Sequence, residues 1–418
     1  MSVPETTKQV GVLSAAVVLA ALGYFVDIFD LVLFSVLRVS SLKSLGVPDA
    51  DLIGTGGLLL DLQLGGMLLG GFAWGVLADK RGRLTVLFGS ILLYSAANLA
   101  NAFVHDLTLY GVCRFLAGIG LAGELGAGIT LVSELLPTSK RGLGTTVIVV
   151  VGATGALAAA TLGESLTAWS ATDGWRYAYG IGGVVGLALL ALRLGVLESS
   201  VFNRAREHKS ASFGDLRQLL WPPERGLRFL RVVLVGMPVW FTAGVVIVFS
   251  PEIGGALGLD PKPTGAKSVF WSYLGVALGD IISGVLSNTL KSRKRVLAVF
   301  LVSLASALGI LLIFGGRSHT TYYALMTLLG TATGYWVIFA TTAAEQFGTN
   351  LRGTVATTAP NVVRGTAIPI TAIWMLMKPQ LGTIPATMVL GVVCISIALL
   401  ALWRMDESFS TELDYLEK

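Results

Sequence analysis

Asp27 and Asp30 stand three residues apart inside a long apolar run, with Tyr24 one turn before them. On a helix the three share a face. Two carboxyls that close cannot both ionise cheaply in a low dielectric, which suits them to carry a proton. His105, His208 and His319 do not compete for that task, because each falls in a loop or at the end of an apolar run. Arg364 lies about 12 residues into a later run, or ~18 Å deep at the helical rise, with Asn361 one turn before it. A guanidinium at that depth can grip a carboxylate or phosphate through two parallel hydrogen bonds, or bridge to an acid of another helix. Tyr335 and Trp336 in the preceding run either line the same space or pack. Arg114 and Asp30 come out at similar depth, about 7 and 8 residues from the ends of their helices. They read as a proton-linked pair or as a static one that locks two helices. Glu124, about 10 residues deeper than Arg114, is a second proton site, a substrate contact, or a hydrogen-bonded acid on a glycine-rich helix. Each such charge costs at least ~2.5–3.5 kcal/mol at the centre of a bilayer, which is why it marks a pathway or a partner.

The elements that must hold these residues are apolar helices. The chain has 418 residues, 54% of them apolar and only 13% charged, with 51 glycines. A soluble domain carries about 25% charge, so most of this surface is expected to face lipid. Twelve stretches are long enough to span, at about 20 apolar residues each: 10–38, 52–78, 84–104, 107–134, 143–167, 175–197, 229–252, 267–289, 296–315, 320–345, 353–377 and 384–404. The first is too long for a cleaved signal peptide and is expected to stay. Lysine and arginine concentrate in the loops on the side of the two ends, while the other side holds few, Arg38 and Lys43 among them. That bias puts both termini in the cytoplasm and accounts for the net charge of +5 without nucleic acid. Cys113 and Cys394 sit in apolar runs as small core residues. Gly66 and Gly70 on the second span allow close helix contact.

The chain also repeats itself. Gly75-Val76-Leu77-Ala78-Asp79-Lys80-Arg81-Gly82-Arg83 is echoed 209 residues on by Gly284-Val285-Leu286-Ser287-Asn288 and its following basic residues. Glu134, Arg141 and Gly142 recur as Glu345, Arg352 and Gly353, and Glu198-Ser199 as Glu407-Ser408. Three marks at nearly one spacing mean two similar halves in tandem. The expected division is 1–197 and 229–405 for the bundles, 198–228 for a cytoplasmic linker and 406–418 for a tail.

These motifs resemble the major facilitator superfamily. The Gly75–Arg83 stretch is similar to that family's signature loop between its second and third helices. The run Arg114-Phe115-Leu116-Ala117-Gly118-Ile119-Gly120-Leu121-Ala122-Gly123-Glu124 resembles its fourth-helix pattern, and Glu134-Leu135-Leu136-Pro137 with Arg141-Gly142 its next loop. Glu198-Ser199 and Glu407-Ser408 look like the acidic motifs that close each half in sugar and metabolite porters. Tyr24 with Asp27 and Asp30 looks most like the metabolite:proton symporter branch. The prolines usual beside the Glu-Ser motif are Leu197 and Ser200, and the second copy of the signature Asp is Asn288. The resemblance implies an all-α fold of twelve transmembrane helices in two pseudo-symmetric six-helix bundles, and an ion pair between Asp30 and Arg114. Asp79, Arg83, Glu134, Arg141, Glu198, Glu345 and Arg352 are expected to form a cytoplasmic gate, or else only to set topology and loop packing.

The combined expectation is a secondary active transporter, not an enzyme. The chain has no Gly-Lys-Ser/Thr phosphate loop, no metal-spaced His/Cys cluster and no nucleophile elbow. It needs no cofactor, acts as a monomer in the inner membrane, and moves a small organic anion with protons. Asp27, Asp30, Arg114 and Glu124 would couple protons; Tyr24, Arg114, Tyr335, Trp336, Asn361 and Arg364 would bind substrate. The rivals are a sugar or other neutral-solute symporter, a drug:proton antiporter, and a membrane sensor that moves nothing.

Overall fold

The computed structural model describes residues 15–81, 83–124, 138–197, 219 and 221–409. They are helical almost throughout, with no strand among them. The helices are α1 (Ala15–Ser44), α2 (Leu52–Arg81), α3 (Arg83–Asn101), α4 (Leu107–Leu121), α5 (Thr138–Trp169), α6 (Gly174–Leu197), α7 (Pro223–Phe241), α8 (Ser250–Ala256), α9 (Gly265–Leu290), α10 (Arg293–Phe314), α11 (His319–Thr333), α12 (Trp336–Glu345), α13 (Thr349–Gly365), α14 (Ala367–Leu381) and α15 (Thr383–Trp403). Nine stretches of the described residues are long and apolar enough to cross a membrane, and Val86–Asn101 and Leu107–Leu121 are apolar but shorter. Leu58, Val285, Ile313, Leu376 and Leu400 stand exposed around the outside, as lipid-facing side chains must.

Helix starts follow local chemistry. Asp106, Thr264, Ser292 and Ser318 each accept from the backbone N–H three residues on, capping α4, α9, α10 and α11. Gly46, at φ 81°, turns the chain between α1 and α2, a conformation that costs a residue with a Cβ.

Three expected spans are interrupted. The one placed at 229–252 begins at Pro223, inside the expected linker. After Pro238 it passes into a π-helical turn, Thr242–Ile247, before α8. The span 320–345 breaks at Gly334 and Tyr335 between α11 and α12. The span 353–377 starts at Thr349 and is jointed at Thr366 between α13 and α14. Broken backbone at membrane depth survives only where it is buried in protein or lines a cavity. These breaks do line one.

Helices before residue 198 pack mainly on one another, as do those after 221. Between the two groups α9 lies along α5 and α1, and α13 and α14 lie on α2. Gly66 and Gly70 face α4: a Cβ on Gly66 would strike the Phe115 carbonyl, and one on Gly70 would lie 2.8 Å from the Ile119 Cα. Gly65 has nothing within 4 Å of such an atom. Gly66→Ala is therefore expected to cost about 1–3 kcal/mol by pushing two backbones apart, while Gly65→Ala should be neutral or slightly stabilising. Thermal unfolding of the two variants in detergent checks the contrast.

Candidate functional site

A cavity of about 60 Å³ lies where α1, α5, α7, the π-helical turn, α9, α11, α12 and α13 converge. Its polar wall is Tyr24, Tyr273, Asp280, Thr333, Trp240, Trp336 and Arg364, and the rest is aliphatic. Arg364 is 1% exposed. Its Nη2 donates to the Asp27 carboxylate at 3.3 Å and its Nη1 to Asn361 Oδ1 at 3.3 Å. The guanidinium lies 5.9 Å from the centre of the Trp240 ring. Asn361 in turn donates to the Ala122 carbonyl at 3.1 Å. Of the two readings of Arg364 left open by the sequence, the geometry has the salt bridge, to an acid 337 residues away in the chain. Removing one partner of such a buried pair leaves an uncompensated charge, a cost of about 3–5 kcal/mol. Arg364 Nε, Trp240 Nε1 and Asp27 Oδ1 are buried without a partner. The wall thus keeps two unused donors, on Arg364 and Trp240, with the unused acceptor of Asp27 behind Arg364.

Asp30 and Arg114 do not form the expected ion pair. Arg114 Nη2 donates to Asn98 Oδ1 at 2.5 Å, and the guanidinium lies 4.3 Å over the Tyr179 ring. Both Asp30 oxygens are buried without a hydrogen-bond partner. The Asn98 amide on α3, not the Asp30 carboxylate, takes the guanidinium. Asp27 and Asp30 also part company: Asp27 faces α13, whereas Asp30 faces α6, where a Cβ on Gly182 would sit 2.9 Å from Asp30 Oδ1. Arg114 and Asp30 therefore lie inside the first group of helices, behind the cavity wall. Glu124 does not line the cavity either. Its oxygens take Arg193 at 3.0 Å and Ser90 at 3.0 Å, and Arg193 also donates to the Leu19 carbonyl. Sequence reasoning passed over Arg193 because it sits near the end of its apolar run and reads as a loop charge.

Trp336 lines the cavity and also packs, stacking on Phe339 at 4.9 Å. Tyr335 does not line it. Its ring is buried against Phe300 and its hydroxyl donates to the Val235 carbonyl at 3.1 Å. The break at Gly334 turns neighbouring residues in opposite directions, which no periodicity forecasts. That break also frees the Val337 N–H, and Asp280 on α9 accepts it at 3.2 Å.

One face of the bundle, where α1 ends and α2 begins, is closed by contacts between the two groups of helices. Arg38 is wholly buried, and its Nη2 donates to both Glu252 oxygens at 2.7 Å. The guanidinium lies 4.8 Å over Phe249, which stacks on Trp374 at 4.9 Å. Thr371 donates to Asp61 at 3.0 Å. Arg38 and Glu252 escaped sequence reasoning for the same reason as Arg193.

At the opposite face, Glu345 is the one residue of the expected gate whose side chain is described. Arg293 lies 3.2 Å from it and Ser408 donates at 2.8 Å, both from the same half of the chain. Glu407 accepts from Ser292 and from the backbone N–H of Arg293 at the start of α10. Burial alone would raise the Glu407 carboxyl, but these hydrogen bonds with those from Phe409 and Lys294 hold it below the usual carboxylate range. The Glu-Ser motif thus ties the chain after α15 to the start of α10 and the end of α12. Asp79, Arg83, Arg141 and Arg352 lie on helices, but their side chains fall outside the described residues, as do Glu134 and Glu198 altogether.

The chain is similar in sequence and in fold to known proteins. The gentisate transporter of Corynebacterium glutamicum is 24% identical over 95% of this chain and 89% of its own. The 3-(3-hydroxy-phenyl)propionate transporter of Escherichia coli is 31% identical over 72% of each. The solved structure of the proton:xylose symporter XylE superposes with a TM-score of 0.71 at 16% identity, over 95% of this chain and 97% of that one, which is a likeness of fold. A family model for the Major Facilitator Superfamily matches residues 14–372, most of the chain, so this integral membrane protein belongs to the major facilitator superfamily and is a transporter, not an enzyme.

Proposed function

We propose that this transporter takes up an aromatic organic acid together with a proton, using Arg364 for the carboxylate and Asp27 for the proton. The observation that carries the reading is the buried Asp27–Arg364 pair, whose guanidinium lines the cavity. In the empty carrier one guanidinium balances one carboxylate. A substrate carboxylate entering without a proton would leave two anions on one cation in a low dielectric, an expensive state. Protonating Asp27 frees Arg364 for the substrate and keeps the buried charge balanced, so substrate and proton travel together. The aromatic walls of the cavity, Tyr24, Trp240, Tyr273 and Trp336, suit a ring, and the two relatives are named for aromatic acids. Alternating access follows from closure at the Arg38–Glu252 face while the other opens. With both termini cytoplasmic, that face is the outer one. Asp30 with Arg114 and Asn98, and Glu124 with Arg193, form a buried polar core in the first half that can pass the proton onward. Asn361 positions Arg364. The carrier works as a monomer in the inner membrane.

Purified protein in liposomes tests this. Phenylpropionate and benzoate derivatives should accumulate under an inward acid gradient, and a protonophore should abolish the accumulation. Equal accumulation with and without the protonophore would overturn the coupling.

A further inference from the structure

The mechanism above uses one end of the cavity and leaves another polar group in its wall without a task. Asp280 is wholly buried on α9 and borders the cavity. Its Oδ1 caps the broken helix α12 through the Val337 N–H. Its Oδ2 is buried with no hydrogen-bond partner. The crossing that creates this geometry is tight: a Cβ on Gly334 would lie 2.6 Å from the Asp280 backbone nitrogen and 2.6 Å from the Gly279 Cα. The carboxylate is therefore held in place from two sides, by the helix crossing beneath it and by the helix start it caps. In its ionised form the Asp280 carboxylate only accepts hydrogen bonds, so the group that Oδ2 then recognises is a donor.

We propose that Asp280 is a specificity-determining residue, whose free oxygen accepts a hydrogen bond from a hydroxyl on the ring of the bound acid. The inference rests on the acid reading of Arg364 and extends it: the substrate is a hydroxylated aromatic acid, gripped by its carboxylate at Arg364 and by its hydroxyl at Asp280. Discrimination comes from the unhydroxylated acid, which seals the cavity and leaves Asp280 Oδ2 buried and unpaired. Sites built to pair a substrate hydroxyl reject the analogue lacking it far more strongly than apolar pockets reject a methylene. Position matters as well as presence, because Oδ2 belongs to a carboxylate pinned by its other oxygen and cannot follow the ring.

The test is binding to the purified transporter at acid pH. The ligands are phenylpropionate, its 2-, 3- and 4-hydroxy derivatives, and the methyl ether of whichever hydroxy acid binds best. The wild-type protein should bind one hydroxy isomer about 100-fold or more tighter than phenylpropionate. The methyl ether, which has lost the donor, should fall back with the unsubstituted acid. In Asp280→Asn the amide oxygen can keep the Val337 cap while the cavity-facing atom becomes a donor, and the preference should shrink at least tenfold. If all four acids bind within threefold of one another, or the preference survives Asp280→Asn intact, the inference is wrong and the acid reading stands. If none of them binds, the acid reading falls and takes the inference with it.

Discussion

Arg364→Ala should weaken binding of the acid at least about 30-fold and unsettle the fold, and a second substitution should separate the two effects. Removing the guanidinium leaves Asp27 buried with no cation. Its destabilisation should be about 3–5 kcal/mol if the carboxylate stays ionised. The double variant Asp27→Ala with Arg364→Ala removes both charges and should recover most of that loss, because an emptied pair no longer carries an uncompensated ion. It should not recover binding. Truncating one member of a buried charge pair at a recognition site costs about 2–5 kcal/mol of affinity, so the apparent Kd should rise between about 30-fold and several thousand-fold in both variants. Asp27→Asn is the complementary case. It keeps the shape, leaves Arg364 free of its internal anion, and should bind the acid with an affinity indifferent to pH, where the wild type tightens as pH falls. It should exchange substrate across the membrane but fail to accumulate it against a gradient. Recovery of binding in the double variant, or full proton-driven accumulation by Asp27→Asn, would show that this pair is a strut.

The architecture was legible in the sequence because the bilayer imposes its length on the chain. A span must be about 20 apolar residues, and most of the described residues in the stretches counted from composition are helical, nine stretches among them being long and apolar enough to cross. Partners were legible only as levels. Counting residues along a helix gives an expected depth, which is how Asp30 and Arg114 come to be paired in the sequence. It does not give the azimuth at which Asn98 intervenes, nor the rotation that sends Asp27 to α13 and Asp30 to α6. The breaks at Gly334 and Thr366 were illegible for another reason. Hydropathy averages over a window, and a single turn of irregular backbone leaves the average unchanged. Yet those breaks decide which aromatic faces the cavity, Trp336 and not Tyr335. Arg38, Arg193 and Glu252 were lost to the same rule that set the topology. A charge near the end of an apolar run counts as loop, although here each is drawn inward by a buried partner or a carbonyl.

Glu252→Ala should open the face that the structure shows closed. Arg38 is wholly buried with both Glu252 oxygens at 2.7 Å from its Nη2, and beyond them, among the described residues, it has the Leu52 carbonyl at 3.3 Å and the Phe249 ring. Deleting the carboxylate strands a guanidinium in the closed state alone, since opening exposes Arg38 to water. The closed state should lose about 3–5 kcal/mol relative to the open one, shifting their ratio by roughly 10²-fold to a few thousand-fold. A cysteine at Ile247, in the cavity wall, reports the shift in a background where Cys113 and Cys394 are replaced by Ser. An impermeant thiol reagent applied from that face should label it at least tenfold faster in Glu252→Ala. Unfolding would also speed labelling, so a second variant is needed. Arg38→Met with Glu252→Leu replaces the pair by apolar groups, which at buried pairs is often neutral or stabilising. It should return labelling to the slow wild-type rate while transport slows, because a face sealed by apolar contact gains nothing from water when it parts. Fast labelling in both variants would mean that the pair stabilises the bundle as a whole; slow labelling in both would mean that Arg38 and Glu252 do not set the closure.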